Sequence, residues 1–325
     1  MRTVNRAASG ATETPRLLIR LGASGAVVFA LTFLVTGSAQ ALFDDLALSP
    51  RARAMGEATT ATMDDAWGYY YNPALLTLVG IPQVGATTAE PNGLDFNRLT
   101  SVAAAIPLQG KRGTLAVAWR RYAVEFRDVD LLAENTISVS HGFRLLEDVS
   151  TTASLGWTLN VYHADMASTV GPAGDGTGGY DPGNAWAVGL DLGVLVGVYQ
   201  RTRVGLFTHN LNSPEIGDDG EELRRAFGVG IAYEPYPGVV SAFDIRTGLD
   251  EEIRYMGGLE FEIVPQLDLR AGVESDPNKV TGGFGVHLPF LTLDYGFSTG
   301  GGVLDASHHF GVALRWDRTQ PEAAP

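Results

Sequence analysis

The sequence predicts an all-β protein, a transmembrane antiparallel up-and-down β-barrel of about 14 strands. Three observations predict this fold. An export signal opens the chain, apolar and polar residues alternate regularly from Gln83 onward, and tight and long connections alternate between the predicted strands. The predicted organisation is a signal peptide over residues 1–41, a plug segment over 42–80, the barrel over 81–317 and a disordered tail over 318–325.

The first 41 residues have the features of a secretory signal. Arg16 and Arg20 supply positive charge, an apolar run of about 16 residues follows, and Ala39-Gln40-Ala41 provides a small-residue cleavage site. The alternative is an uncleaved anchor helix, but the run is shorter than the ~20 residues that a spanning helix needs. We therefore expect an exported protein, which can be periplasmic, secreted or a β-barrel of the outer membrane.

Composition narrows the function classes. The chain has 23 Lys+Arg and 37 Asp+Glu, and residues 1–41 contain four Arg and Glu13, which leaves 19 basic and 36 acidic residues. A mature net charge near −17 disfavours nucleic acid as a partner. The absence of cysteine excludes disulfides and thiolate metal sites, and 40 glycines are typical of a barrel, where glycine relieves crowding on strands and at corners.

The predicted strands present one apolar and one polar face. In residues 253–263, Ile253, Tyr255 and Leu259 alternate with Arg254 and Glu260. A soluble sandwich produces the same alternation. However, these strands run for about 10–13 residues, which suits the ~9–11 tilted residues that cross a bilayer better than the ~5–6 typical of sandwich strands.

The connections also favour a membrane barrel. Tight connections are predicted at 107–111, 146–148, 199–202, 235–237, 264–265 and 288–289, and longer ones at 90–97, 125–133, 165–183, 212–222, 248–251, 275–278 and 299–306. Short turns on one side and long loops on the other are how outer-membrane barrels are built.

Aromatic residues near strand ends are predicted to form the girdles at the membrane rims, with packing in a soluble core as the alternative. The candidates are Trp119, Tyr122, Phe143, Trp157, Tyr162, Trp186, Phe227, Tyr233, Phe243, Tyr255, Phe261, Tyr295, Phe297 and Trp316.

Two segments, one near each end of the predicted mature chain, contain short distinctive residue motifs. Near the start are Arg53-Ala54-Met55-Gly56, then Asp64-Asp65 and Tyr69-Tyr70-Tyr71, then Asn72-Pro73-Ala74. Asp64-Asp65 is predicted to cap a helix that Pro73 ends, and Gly56 permits a tight bend. Near the end are Asp294-Tyr295, His308 and Arg315-Trp316.

These motifs resemble those of the long-chain fatty-acid transporter (FadL-like) superfamily of outer-membrane proteins, and still more its shorter PorV/PorQ-like branch, which is associated with type IX secretion. His309 stands where that superfamily usually has Arg, and Leu75 where it usually has Gly. The resemblance implies a 14-stranded barrel with the N-terminal segment folded into the lumen. It also implies that Asn72-Pro73-Ala74 shapes the internal passage; the alternative is that these residues only end the helix before the first strand.

Charged residues on the polar strand faces are expected to pair across neighbouring strands as a hydrated ionic lattice. They are Asp191, Asp244, Arg246, Arg254, Glu260, Glu262, Asp268, Arg270, Asp294 and Arg315. For an enzyme, the cluster to test is Ser307, His308 and His309. The glycine-rich stretch 165–181 loosely resembles a calcium loop but lacks alternating acidic ligands, so a mobile surface loop is expected.

The sequence predicts a non-enzyme without cofactor or metal, in contact with outer-membrane lipid. One hypothesis is passage of hydrophobic or amphipathic small molecules. The other is a protein-handling role, in which the barrel binds a secretion-system component or secreted cargo protein. The mature length of about 284 residues, which is 325 less 41, leaves little room for a large ligand-capturing domain and favours the shorter branch.

Overall fold

The computed structural model describes residues 43, 46–127, 129–168, 179, 181–217, 220–248, 252–275, 277–300 and 305–316. The predicted signal at 1–41 and tail at 318–325 lie outside these residues, as does most of the glycine-rich stretch 165–181.

Fourteen antiparallel strands form a closed barrel in which each strand pairs with its chain neighbours and the last pairs with the first. The strands are β1 Gln83–Glu90, β2 Asn97–Pro107, β3 Thr114–Phe126, β4 Val129–Glu147, β5 Thr151–Met166, β6 Asn184–Val198, β7 Thr202–His209, β8 Ala226–Tyr236, β9 Val239–Gly248, β10 Arg254–Val264, β11 Leu267–Glu274, β12 Lys279–His287, β13 Leu291–Ser298 and β14 Ser307–Arg315. Separately from the barrel, the two-residue strands Glu215–Ile216 and Glu221–Glu222 pair as a small antiparallel sheet. The predicted fold class is confirmed.

The alternation places apolar side chains outside the barrel and polar ones inside. On β10, Tyr255, Leu259 and Phe261 are exposed on the outer wall, whereas Glu260 on the other face is buried in the lumen. A closed barrel with an apolar exterior and a charged interior is suited to a lipid bilayer. In the part of the chain that the structure describes, no helix is long and apolar enough to cross a membrane.

Four neighbouring strands of the barrel are longer than the other ten. β3, β4, β5 and β6 have 13, 19, 16 and 15 residues, whereas the other strands have 8 to 11. The long connection predicted at 125–133 is wrong, because β3 continues to Phe126 and β4 begins at Val129. This hairpin therefore extends the wall on the long-loop side.

Most of the predicted girdle aromatics lie on the outer wall; Trp186, for example, is 61% exposed. Two of the predictions are wrong. Tyr162 is buried in the lumen, where its hydroxyl donates to Asn210 Oδ1 at 2.9 Å, and Tyr122 packs against the luminal apolar cluster. Both residues lie on the lumen-facing side of their strands. Nearness to a strand end does not indicate which face of the strand a residue occupies.

Residues 46–80 lie inside the lumen, and we call this segment the plug. It contains helix α1 (Pro50–Ala54), helix α2 (Gly68–Tyr71) and a 3₁₀ helix (Pro73–Leu78). As predicted, α2 ends before Pro73. Most of the plug is buried although its elements are short, so contacts with the wall rather than helix propensity hold its shape.

Candidate functional site

The plug follows the lumen from one rim of the barrel to the other. Just before it, the ring of Phe43 packs edge-on against Tyr162 in the long-loop half of β5, with centroids 4.9 Å apart. Just after it, the carbonyl of Pro82 accepts the backbone N–H of Trp316 at the short-turn rim. Anything that passes through the lumen must therefore pass the plug.

A first contact with the wall is formed by Asn72 and Pro73. Asn72 is fully buried, and its Nδ2 donates to Thr60 O at 2.9 Å within the plug and to Val194 O at 3.0 Å on β6. Its Oδ1 accepts from Ala74 N at 3.1 Å. One side chain thereby joins two plug segments to the wall.

The wall beneath Asn72 and Pro73 lacks side chains. Gly142, Gly156 and Gly193 face the lumen here on β4, β5 and β6, and a Cβ on any of them would overlap plug atoms. We call these three residues the first glycine seat. Glycine is needed because the two backbones approach closely.

A second glycine seat lies across the lumen under residues 50–56. It consists of Gly258, Gly272, Gly283, Gly296 and Gly311, one on each strand from β10 to β14. Gly56 adopts a left-handed conformation with φ of 61°, and a Cβ there would lie 2.6 Å from Val273 O. The predicted tight bend at Gly56 is confirmed.

A third contact is apolar. Trp67, Leu75 and Leu76 of the plug belong to a buried cluster with the wall residues Leu99, Ala103, Ala105, Ala116 and Ala118 on β2 and β3. At this seam, apolar side chains of the plug and the wall pack by van der Waals contact.

Charges of the short-turn half join the plug to the wall. Arg51 Nη2 lies 2.7 Å from Glu260 Oε1, and Arg51 Nη1 lies 2.5 Å from Asp64 Oδ1. Arg270 Nε lies 2.6 Å from the other oxygen of Glu260, and its Nη1 lies 2.6 Å from Asp294 Oδ1. The predicted ionic lattice is therefore present here, with Arg51 of the plug as an additional member.

Two luminal charges of β9, Asp244 and Arg246, bind the plug directly as well as lying 4.0 Å from each other. Asp244 Oδ2 accepts from Thr59 N at 2.8 Å and from Thr60 N at 2.7 Å. Arg246 donates to Glu57 O and Thr59 Oγ1, both at 2.9 Å. Sequence reasoning placed these two charges in the lumen but missed their partners.

The two plug aspartates differ in environment. Asp65 is largely buried, which raises its pKa to about 6; Asp64 beside it adds to this effect, and Arg51 opposes it. Burial also acts on Asp64, but the Arg51 guanidinium lowers the pKa of Asp64 below its usual range. The predicted helix cap is partly wrong, because Asp65 Oδ1 accepts from Trp67 N in the turn before α2, and Trp67 occupies the cap position.

Tyr71 and Met55 complete the N-terminal motif. The hydroxyl of Tyr71 accepts backbone N–H groups of Leu48 and Ser49 at 3.0 and 3.1 Å, and burial raises its pKa. Met55 is fully buried and packs on Gly258 of the second glycine seat. The residues singled out near the start of the chain therefore meet in the plug and its wall contacts.

The predicted C-terminal motif divides between the two faces of the wall. Asp294 and Arg315 line the lumen, whereas Tyr295, His308 and Trp316 lie outside, where Tyr295 Oη and His308 Nδ1 are 2.8 Å apart. The candidate enzymatic cluster divides in the same way, because Ser307 and His309 are buried while His308 is exposed. Among the described residues, no three His, Asp or Glu side chains group to hold a metal ion.

Luminal cavities lie on both sides of the plug. A polar vestibule of about 520 Å³ at the short-turn side is lined by Arg51, Asp64, Arg203, Glu260 and Arg270, among others. A small cavity of about 40 Å³ on the other side is lined by aromatic and polar side chains: Phe43, Tyr69, Tyr70, Tyr162, Arg120, Asn160, Asp191 and His209. In it, Arg120 lies over the Tyr70 ring, 5.2 Å from the centroid.

No protein-family model and no curated protein matches the sequence. Solved structures do. The toluene transporter TbuX of Ralstonia pickettii is similar with a TM-score of 0.58 at 14% identity, over 83% of this chain and 98% of that one. The toluene transporter TodX of Pseudomonas putida has a TM-score of 0.53 at 13% identity, over 84% and 98%. A FadL homologue of Pseudomonas aeruginosa has 0.53 at 11%, over 83% and 98%.

The chain has the fold of these transporter barrels. The sequence resemblance to the FadL-like superfamily is thus supported at the level of the fold, and this likeness does not distinguish the PorV/PorQ-like branch.

Proposed function

We propose that this protein is an outer-membrane barrel that passes small hydrophobic or amphipathic molecules across the membrane, with the plug as its gate. The observation that carries the proposal is a closed barrel whose lumen is filled by a non-covalently held segment, with cavities on both sides of it. Of the similar barrels, TbuX is a toluene transporter and TodX is a monoaromatic hydrocarbon channel. In this proposal Arg53, Met55, Gly56, Asp64, Asp65, Tyr71 and Asn72-Pro73-Ala74 are the residues that hold the gate closed.

The plug has to move for passage. The aromatic cavity of about 40 Å³ is far smaller than the ~150 Å³ cavity that accommodates benzene in a protein interior. The glycine seats and the luminal ion pairs are reversible contacts, so a shift of the plug needs no covalent change. The apolar seam at β2 and β3 offers a hydrophobic molecule a surface along which the plug can separate from the wall.

A reversible lock tests this proposal. Thr77 Oγ1 on the plug lies 3.0 Å from Ser154 Oγ on β5, so the double variant Thr77→Cys/Ser154→Cys places two thiols within reach of a disulfide. The chain has no cysteine of its own. We expect cells that depend on this protein to take up radiolabelled toluene or hexadecanoate when the variant is reduced, and to lose most uptake when it is oxidised.

The reduced form of the same variant is the matched control. Uptake at the same rate in the oxidised form would overturn the gating role of residues 73–78. If the wild-type chain gives no uptake above empty vector, the transport proposal itself fails. Loss of surface-exposed proteins in a deletion strain would then support the alternative, a secretion-accessory barrel that binds cargo or a partner.

A further inference from the structure

A further cavity, of about 260 Å³, lies at the short-turn rim beside the end of the plug. It is bounded by the plug end, by the turn between β2 and β3, and by the end of β4. Its apolar lining residues are Leu78, Val79, Pro107, Leu108, Leu145 and Leu146. We call this cavity the rim pocket, and no motif of the sequence predicted it.

The rim pocket continues the apolar seam between the plug and the wall. On β2, Ala105 belongs to the seam, and Pro107, the next residue on the same face of the strand, lines the pocket. On the plug, Leu76 belongs to the seam and residues 77–80 line the pocket. A molecule that separates the plug from β2 and β3 therefore reaches this pocket at the short-turn end of the seam.

The end of β4 presents apolar side chains to the pocket. β4 continues past the start of β3, because Thr114, the first residue of β3, already pairs with Gly142. The pairing of β4 with β5 then shifts by one residue between Arg144 and Leu146, and such a β-bulge re-aims side chains. Leu145 and Leu146 both line the pocket, although neighbours in a regular strand point to opposite faces. They are 60% and 51% exposed, so an apolar ligand would cover them.

The charges of the pocket leave one cation without a partner. Arg144 Nη1 lies 2.5 Å from Glu147 Oε1, and Arg144 Nη2 donates to Thr77 O at 3.2 Å. Glu147 is the only carboxylate among the described lining residues, and Arg144 neutralises it. The Lys111 ammonium forms no ion pair with another residue in the described part of the chain. The pocket therefore combines an apolar wall with one uncompensated positive charge.

We propose that the rim pocket is the exit subsite of the passage and binds an amphipathic anion with a carboxylate head and an apolar chain. The head accepts hydrogen bonds from the Lys111 ammonium, and the chain lies against the leucines of β4 and of the plug. The pocket is larger than the ~150 Å³ cavity that accommodates benzene, so it has room for an apolar group. This inference rests on the proposed function, and it names the substrate class and the side of the plug along which the molecule leaves.

Charge reversal at two adjacent residues tests the inference. Lys111 and Arg112 share the turn between β2 and β3, but of the two only Lys111 lines the pocket. At equal amounts of each variant in the outer membrane, Lys111→Glu should lower hexadecanoate uptake several-fold relative to uptake of toluene, which has no charge. Arg112→Glu changes the net charge of the same turn equally and should leave this ratio at its wild-type value.

The outcomes separate this inference from the transport proposal. The same ratio in both variants would overturn the inference, as would wild-type uptake of toluene without uptake of hexadecanoate. Either result would leave the transport proposal in place. Uptake of neither molecule by the wild type would overturn the transport proposal, and the inference with it.

A fluorescent label measures binding directly. Because the chain has no cysteine, Leu146→Cys and Leu288→Cys each offer a single site for a polarity-sensitive fluorophore. Leu288 lies in the short turn between β12 and β13 and does not line the pocket. With the full chain in phosphatidylcholine vesicles, hexadecanoate should shift the emission of the label at position 146 saturably and leave the label at position 288 unchanged.

Equal shifts at the two positions, or no shift at position 146, would contradict binding in the rim pocket. A shift at position 146 that requires phosphatidylglycerol in the vesicles rather than hexadecanoate would assign the pocket to a membrane lipid. That result would also overturn the proposal.

Discussion

At the scale of single residues, the pKa values of the adjacent Asp64 and Asp65 are shifted in opposite directions, although the Arg51 guanidinium lowers both. Arg51 lies 2.5 Å from Asp64 Oδ1 but 3.9 Å from Asp65 Oδ2. Burial therefore dominates at Asp65 and raises its pKa to about 6, whereas Arg51 dominates at Asp64. A carboxyl whose pKa is raised by folding favours the folded state below its unfolded value near 3.8, and this stabilisation is lost as pH rises through about 6.

We predict that Asp65→Asn stabilises the plugged barrel at pH 7.5, by about 2 kcal/mol, and that the gain disappears at pH 4. Asparagine keeps the Oδ1 that accepts from Trp67 N, so the turn before α2 is preserved. Asp64→Asn is the control with the opposite expected sign, because it loses the ion pair with Arg51. Urea unfolding at the two pH values measures both, and equal effects of the two variants would contradict the assignment.

Some residue roles followed from the sequence and others did not. Pro73 predicted the end of α2, and Asp64-Asp65 predicted a helix start close to the observed one, since proline and capping act within a few residues. The contacts of Asn72 with Val194 and of Asp244 with Thr59 join residues more than 100 positions apart. No local pattern specifies such pairs, so the sequence alone could not provide them.

At the scale of elements, the high glycine content has a more specific explanation than strand crowding. On β10, Gly257 and Gly258 are neighbours on opposite faces of one strand. A Cβ on Gly258 would overlap the main chain of Met55, whereas a Cβ on Gly257 would meet only Val273 Cγ2, at 3.6 Å. Glycines at lumen-facing positions of successive strands are the sequence pattern that could have revealed the two glycine seats.

We predict that Gly258→Ala displaces residues 50–56 and raises the ionic conductance of single barrels in planar bilayers several-fold. Gly257→Ala, one residue away on the lipid-facing side, should conduct like the wild type and fold at least as stably, because alanine restricts the unfolded chain. Indistinguishable traces for the two variants would rule out close seating of the plug on β10.

The long connection predicted at 125–133 is wrong because β3 and β4 are longer than expected. The hairpin of β3 and β4 continues above the rest of the wall, where neither face need meet lipid or a packed lumen. Without two different media the alternation fades, and Arg127 and Asp130 gave this stretch the composition of a loop.

At the scale of the whole molecule, the barrel was predictable because a single physical contrast acts on every strand. An apolar medium outside and a charged lumen inside require apolar and polar side chains to alternate along all fourteen strands. The sheet closes into a barrel because every backbone N–H and C=O group needs a partner in hydrocarbon. The path of the plug and its contacts with the wall were not predictable in this way, since they depend on how the strands bring distant side chains together.

The outward face of the barrel provides the last prediction. Leu206 lies in the middle of β7 and is 49% exposed on the outer wall, and Ile263 is similarly exposed but lies next to the end of β10. Because arginine is costly at the bilayer midplane and tolerated near the interface, Leu206→Arg should cost ~2–4 kcal/mol and Ile263→Arg ~0–1 kcal/mol. Urea unfolding from phospholipid vesicles, followed by tryptophan fluorescence, measures both. A midplane arginine that costs no more than the one at the rim would show that the apolar exterior does not face the hydrocarbon core of a bilayer, and membrane passage would then have no physical basis.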